Sequence, residues 1–184
     1  MSRALRREQR PAWPGIPPCR IRAVLFDFDG TLTRPDALDF SAIKRQVGCP
    51  TDRLVLEFVE GLPHGPDRDA AMAALELFEL EGAAGSRANA GAVDLLGFLR
   101  RARLRIGVLT RNRRAAVDRA LAHIPALPPE WFDVVVTRDD GLPPKPAPAG
   151  VLHACRAMGV PATETLVVGD FLLDVQAGNT AGAL

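Results

Sequence analysis

From Ile21 the chain reads I-R-A-V-L-F-D-F-D-G, a β-branched and aromatic block stopped by a glycine. That pattern predicts a short strand buried on both faces, as in a parallel sheet. After Arg34-Pro35 the apolar residues switch to three- and four-residue spacing. They do so over Ala37 to Val47, Asp52 to Glu60 and Arg68 to Glu81, with breaks at Gly48-Cys49-Pro50 and Gly61-Leu62-Pro63. Three short helices are expected there. Leu75, Leu77, Phe78 and Leu80 serve as packing residues of the last one. The small residues Gly82-Ala83-Ala84-Gly85-Ser86 read as a flexible return linker.

Beyond this insertion, helical and strand patterns alternate. Helices are predicted over Ala92 to Arg103, Arg113 to His123 and Ala147 to Met158, with a last turn or helix over Leu172 to Ala177. Strands are predicted over Leu104 to Leu109, Phe132 to Val136 and Thr165 to Val168. Strands separated by helices of about ten residues form right-handed βαβ units. The expected architecture is therefore α/β, a doubly wound parallel sheet, with a small all-helical insertion after strand one. In domain terms, residues 1–20 form a leader, 21–34 with 88–184 the α/β core, and 35–87 the helical insertion.

Composition narrows the function classes. With 184 residues, 47% of them hydrophobic, the chain can bury one core of ordinary size. Lys and Arg number 23 against 22 acidic residues, a net charge of +1, so no global field points to nucleic acid or a membrane surface. No run of about 18 apolar residues is present, so no membrane span is expected. Cys19, Cys49 and Cys155 are odd in number and lack metal-type spacing. They fit the reduced thiols of a cytoplasmic protein. Arg3, Arg6, Arg7 and Arg10 precede a proline-rich stretch from Pro11 to Pro18 that contains Trp13. This reads as a flexible leader packing Trp13 on the domain, with an Arg-rich targeting or interaction arm as the alternative.

In open parallel sheets the active site lies outside the carboxyl ends of the strands. Four chemically suggestive strips fall there: Asp27-Phe28-Asp29-Gly30-Thr31-Leu32-Thr33, Leu109-Thr110-Arg111-Asn112, Pro144-Lys145-Pro146, and Gly169-Asp170 with Asp174 four residues on. Carboxylates at Asp27 and Asp170 repel one another unless a hard divalent cation lies between them, and magnesium accepts such oxygen ligands. Asp27 and Asp29 provide one group to attack and one to manage a proton. Lys145 and Thr110 offer a positive charge and a hydroxyl donor to the oxygens of a transferring phosphoryl group. Asp170 and Asp174 also fit the start of the last helix, where acidic side chains cap free N–H groups.

These four strips, in this order and spacing, resemble the four motifs of the haloacid dehalogenase superfamily, most specifically through D-F-D-G-T-L-T at Asp27–Thr33. The resemblance spans roughly Ala23 to Gly182 and is nearest in plan to the phosphoglycolate phosphatase-like group, whose helical cap reads the leaving group. It implies that Asp27 is the nucleophile forming an aspartyl phosphate. Asp29 is then acid for the leaving oxygen and base for water. Thr110 and Lys145 are implied to bind phosphate. A magnesium ion (Mg2+) is implied on Asp27, the main-chain carbonyl of Asp29, and Asp170. Asp174 is implied to orient Lys145 or a metal-bound water. The expected substrate is a small phosphorylated metabolite.

The family pattern continues past the fourth motif into a further strand and helix, whereas this chain stops at Ala183-Leu184. The sheet is accordingly expected to lack an edge strand. A phosphomutase shares the same nucleophile and acid, and a non-enzymatic scaffold on the same fold is the alternative from another class. A dehalogenase is disfavoured, because members with that chemistry lack the second aspartate that Asp29 supplies. Arg111, Arg113 and Arg114 either steer an anionic substrate or are solvated helix charges. In the cap, Arg45, Arg53, His64 and Arg68 are candidate specificity groups against a background of ordinary surface charge.

Overall fold

The computed structural model describes residues 20–184. Residues 1–19 of the leader, with Trp13 and Cys19, lie outside the described residues. Four strands form one sheet: β1 (Ala23–Phe26), β2 (Arg105–Leu109), β3 (Val134–Val136) and β4 (Thr165–Val168). Their order is β3-β2-β1-β4 and every pair is parallel. All four residues of β1 are buried, which is why that segment carries no polar alternation. Val24, Phe26, Ile106 and Val108 face one layer of helices. Ala23, Leu25, Leu109 and Val136 face the other.

The first layer holds α4 (Ala92–Arg101) and α5 (Arg114–His123), which contribute Leu96, Leu99, Val117 and Leu121. The second holds α6 (Ala149–Met158) and α7 (Leu172–Ala181), which contribute Val151, Ala154, Met158 and Ala177. The fold is thus the α/β, doubly wound parallel sheet expected from the alternation. Its strand order reverses at β1: the chain leaves β1 toward β2 and β3, then returns to β4 on the other side. Such a reversal opens a crevice at the carboxyl ends of the strands, between β1 and β4.

Between β1 and α4 lie α1 (Phe40–Val47), α2 (Val55–Glu60) and α3 (Pro66–Gly85). These helices share a small core of Ile43, Val55, Leu56, Val59 and Leu75. Asp39 starts α1 by accepting from Ala42 N at 3.0 Å. Phe78 packs against the same core, whereas Leu77 is 54% exposed and faces solvent, contrary to its expected packing role.

The expected linker at Gly82–Ser86 is instead the last turn of α3, which runs to Gly85. Ala83 is buried in the main core, and a β-carbon at Gly82 would collide with Leu38. Close packing therefore holds these small residues helical where local propensity alone would not. For a similar reason α7 continues past Ala177: Gly178 is buried against Val167.

Among the described residues the sheet has four strands. On the outer edge of β4, Leu184 N donates to Thr165 O at 3.0 Å, and Val167 N donates to Leu184 O at 2.9 Å. Beyond β4, where a further strand was expected to be lacking, Leu184 provides this backbone pairing without forming a strand. Cys49 is buried in the helical insertion and Cys155 in the α/β core, both as free thiols.

Candidate active site

Asp27 is the first residue beyond β1, and its N–H donates to Val168 O at 2.8 Å, tying it to the end of β4. Its side chain is 12% exposed. Lys145 Nζ, brought in by the loop before α6, donates to Asp27 Oδ1 at 2.5 Å and to Asp174 Oδ1 at 2.6 Å. Lys145 and Asp174 are both buried. Asp174 lies in the first turn of α7, where its second oxygen accepts from Phe171 N at 3.2 Å. It therefore caps the helix and anchors the lysine at once.

Asp170 is exposed at the mouth and accepts from Thr31 Oγ1 at 3.2 Å. Two glycines make this crowding feasible. Gly30 has φ +80°, and a β-carbon there would overlap the Asp170 carboxylate; at Gly169 one would overlap Asp174. Asp27, Asp170 and Asp174 each present an oxygen, all within 4.8 Å of one another.

The electrostatics follow from burial. The Asp27 carboxyl is pushed up from 3.8 to about 6, first by desolvation, with the Asp174 charge adding to it and Lys145 opposing both. One buried ammonium does not balance three gathered carboxylates. A set of hard oxygen donors with surplus negative charge is the environment that suits a divalent cation such as magnesium.

Asp29 stands apart from that trio. Its Oδ2 accepts from Asn112 Nδ2 at 2.5 Å, and its Oδ1 accepts from Thr33 Oγ1 at 3.4 Å. Burial, then the charge of Asp27, raises its carboxyl to about 7, although the Asn112 hydrogen bond pulls the other way. A carboxyl with that value exchanges a proton near neutral pH. The turn between the two aspartates is clamped by Asn89, whose Nδ2 donates to Gly30 O at 3.0 Å and Thr31 O at 3.2 Å.

Thr110 ends the second strip, buried, with Oγ1 accepting from Asn112 N at 3.2 Å. Its own hydroxyl hydrogen is thereby left for another acceptor. Thr110 and Lys145 border a cavity of about 360 Å³ that Arg111, Arg138, Thr137 and Glu60 also line.

The structure thus brings Asp27, Lys145, Asp170 and Asp174 together, with Asp29 and Thr110 flanking them. The arginines that follow Thr110 divide. Arg111 Nη2 lies 2.6 Å from Glu57 Oε1 on α2, and Arg113 Nε lies 3.4 Å from Glu76 on α3. Arg114 instead bonds to β3 and the turn after it, through its guanidinium to Val135 O and its N–H to Asp139. Of the candidate specificity groups, Arg53 lies over the Phe58 ring, Arg68 beside His64, and Arg45 is exposed.

Two contributors escaped the sequence reading. Asn112 sat in a strip already singled out, and its position two residues after Thr110 was the available signal. Asn89 had none, because its partners lie 58 and 59 residues away.

Comparison with known proteins points to one family. The model of the haloacid dehalogenase-like hydrolases matches residues 21–182. An uncharacterized hydrolase of Saccharomyces cerevisiae is 30% identical, the alignment covering 88% of this chain and 74% of that protein. A phosphoglycolate phosphatase of Nitrosospira multiformis is 31% identical over 90% of this chain and 82% of its own length. Among solved structures, a haloacid dehalogenase-like hydrolase of Bacteroides fragilis superposes with a TM-score of 0.73 at 22% identity, covering 89% of this chain and 85% of that one. With the fold, the gathered carboxylates and the family match in agreement, the chain belongs to the haloacid dehalogenase-like hydrolases.

Proposed function

We propose that this hydrolase is a magnesium-dependent phosphatase that cleaves a small phosphorylated metabolite through an aspartyl phosphate on Asp27. Phosphoric monoester hydrolysis is the coarser activity, and relatives of comparable identity are named as phosphatases. The observation that carries the finer reading is the division of labour between the two aspartates. Asp27 is held by Lys145 inside an acidic trio, while Asp29 is held separately by Asn112 with its carboxyl raised to about 7.

In this reading the Asp27 oxygen not bonded to Lys145 attacks phosphorus as the bond to the leaving oxygen breaks. Asp29, protonated, gives its proton to that oxygen. Now ionised, Asp29 takes a proton from water as the water oxygen attacks phosphorus. The bond from phosphorus to Asp27 then breaks and phosphate leaves. Thr110 and Lys145 donate to the phosphoryl oxygens throughout. Asp27, the main-chain carbonyl of Asp29 and Asp170 are the groups assigned to hold magnesium, which when bound supplies positive charge opposite the phosphoryl oxygens. Asp174 keeps Lys145 aligned.

The helices within residues 35–87 act as the cap over this site, and the setting assigned is the cytoplasm, in keeping with buried free thiols at Cys49 and Cys155. Among the described residues no helix is long and apolar enough to cross a membrane.

The test is release of inorganic phosphate from p-nitrophenyl phosphate, with magnesium and with chelator, by the parent protein and by Asp27→Asn. Turnover that needs both the metal and Asp27 supports the reading. A folded parent protein with no metal-dependent turnover overturns it.

A further inference from the structure

The cavity beside Thr110 and Lys145, about 360 Å³, falls within the range of small-ligand sites and extends beyond the space a phosphoryl group fills. Three cationic residues line it, and two are already held by hydrogen-bonded carboxylates. Lys145 is shared between Asp27 and Asp174. Arg138 grips Glu79 with two nitrogens, at 2.8 and 3.0 Å, and also donates to Arg111 O at 3.0 Å.

Arg111 is different. Its Nη2 lies 2.6 Å from Glu57 Oε1, yet the two are not aligned as a hydrogen bond. Arg111 Nε, Arg111 Nη2 and Glu57 Oε2 are all buried without a hydrogen-bond partner. A buried polar atom left unpaired costs about 1–3 kcal/mol, and more when charged. Three together mark an arrangement that a ligand completes.

Taking the reacting phosphate to sit at Asp27, as in the function proposed above, we infer that Arg111 binds a second anionic group of the substrate. That group is a carboxylate or a second phosphate, and Glu57 holds its place until it arrives. The planar guanidinium fork matches such oxyanions through two parallel hydrogen bonds, a geometry that the misaligned Glu57 contact lacks. The Glu57 side chain is 39% exposed, so it reaches solvent readily once displaced. Glu60, one helical turn further along α2, also lines the cavity and repels an anion from its own part of the wall, which directs the second group toward Arg111. The substrate class is therefore a small phosphomonoester with a second oxyanion.

Binding to unreactive Asp27→Asn protein with magnesium, followed by titration calorimetry, tests this apart from turnover. The ligands are glycerol 3-phosphate, 3-phosphoglycerate and glycerol 1,3-bisphosphate. The second exchanges a neutral terminus for a carboxylate, and the third exchanges it for a phosphate, so the arms distinguish the two sources of charge. One anionic-tailed ligand is expected to bind at least about tenfold more tightly than glycerol 3-phosphate. Adding Arg111→Met should collapse that ratio toward one, and adding Glu57→Gln should widen it.

Equal binding of the three ligands, binding of none, or a ratio unmoved by Arg111→Met overturns the inference. Circular dichroism confirms that each variant is folded, and Arg111→Lys, which keeps the charge without the fork, should retain part of the ratio. Loss of p-nitrophenyl phosphate turnover in the parent with the binding ratio intact would sink the phosphatase reading while leaving Arg111 in this role.

Discussion

Asn112 donates its side-chain amide to Asp29 Oδ2 at 2.5 Å, joining the segment after β2 to the loop after β1. The bond favours the ionised carboxylate, so it restrains a carboxyl that burial and Asp27 push to about 7. Asn112→Ala should raise the Asp29 value further and free its orientation. The expected result is a neutral-pH kcat lower by about tenfold, within the range for a misplaced acid-base group. The alkaline limb of the kcat/KM profile should move to higher pH, because protonated Asp29 then persists further. A pH-rate profile of p-nitrophenyl phosphate hydrolysis measures both. An unchanged alkaline limb would contradict the role given to Asp29.

The raised aspartates make stability depend on pH in a direction that can be stated. A carboxyl whose folded-state value lies above its unfolded 3.8 contributes stability that is fully present below 3.8 and declines above it. Its contribution is lost as pH rises through about 6 for Asp27 and about 7 for Asp29. Glu79, also raised by burial, acts in the same sense. In chelator the melting temperature should therefore fall between about pH 4 and about pH 7 and level off above that. In Asp27→Asn that fall should shrink, because one buried charge disappears along with its effect on Asp29. Magnesium should raise the melting temperature more at the upper end of this range than at the lower. Differential scanning calorimetry with and without the metal decides the point, and a melting temperature that climbs with pH in chelator would refute it.

Where local pattern and tertiary packing agree, the chain was legible in advance. β4 was placed at Thr165 to Val168, the bounds it has, because a buried strand between two turns has little latitude. The site strips were legible for the same reason: Asp27, Thr110 and Asp170 fall at or just past strand ends, where the parallel register carries them to one rim. Packing decided the rest. Gly82 to Gly85 carry no helical signal strong enough to predict the final turn of α3, yet Ala83 is buried there and Gly82 lies against Leu38. Pairs such as Arg138 with Glu79 depend on how α3 docks against the loop after β3. Neither residue has a local pattern that selects the other.

That docking pair gives a stability prediction. Arg138 and Glu79 side chains are 13% and 7% exposed and make a two-pronged ion pair, to which Arg113 N adds a hydrogen bond at 3.3 Å. Removing one partner strands a buried charge. Glu79→Ala should lower unfolding free energy by about 3–5 kcal/mol, whereas the double change Glu79→Leu with Arg138→Met should recover much of that loss. Urea denaturation of Glu79→Leu, Arg138→Met and the double variant forms the cycle, with Glu79→Ala measured beside it. A Glu79→Ala loss below about 1 kcal/mol would mean that the pair behaves as an exposed one.

Gly30 offers a change that separates the metal role proposed for Asp170 from the nucleophile role proposed for Asp27. Its φ of +80° lies where a side chain is strained, and its missing β-carbon makes room for the Asp170 carboxylate. Gly30→Ala should therefore push Asp170 away from Asp27 while leaving the Asp27–Lys145–Asp174 contacts in place. Magnesium affinity, read by titration calorimetry, should weaken by about tenfold or more, the order expected when a ligand is displaced from its setting. The direct strain at this position should cost about 1–2 kcal/mol of stability, which thermal unfolding in chelator measures separately. Raising the magnesium concentration should restore much of the lost turnover, since the groups that carry and cleave the phosphoryl bond remain. If metal affinity held while turnover fell, Asp170 would not be the ligand assigned here, and the crowding at Gly30 would serve the nucleophile loop alone.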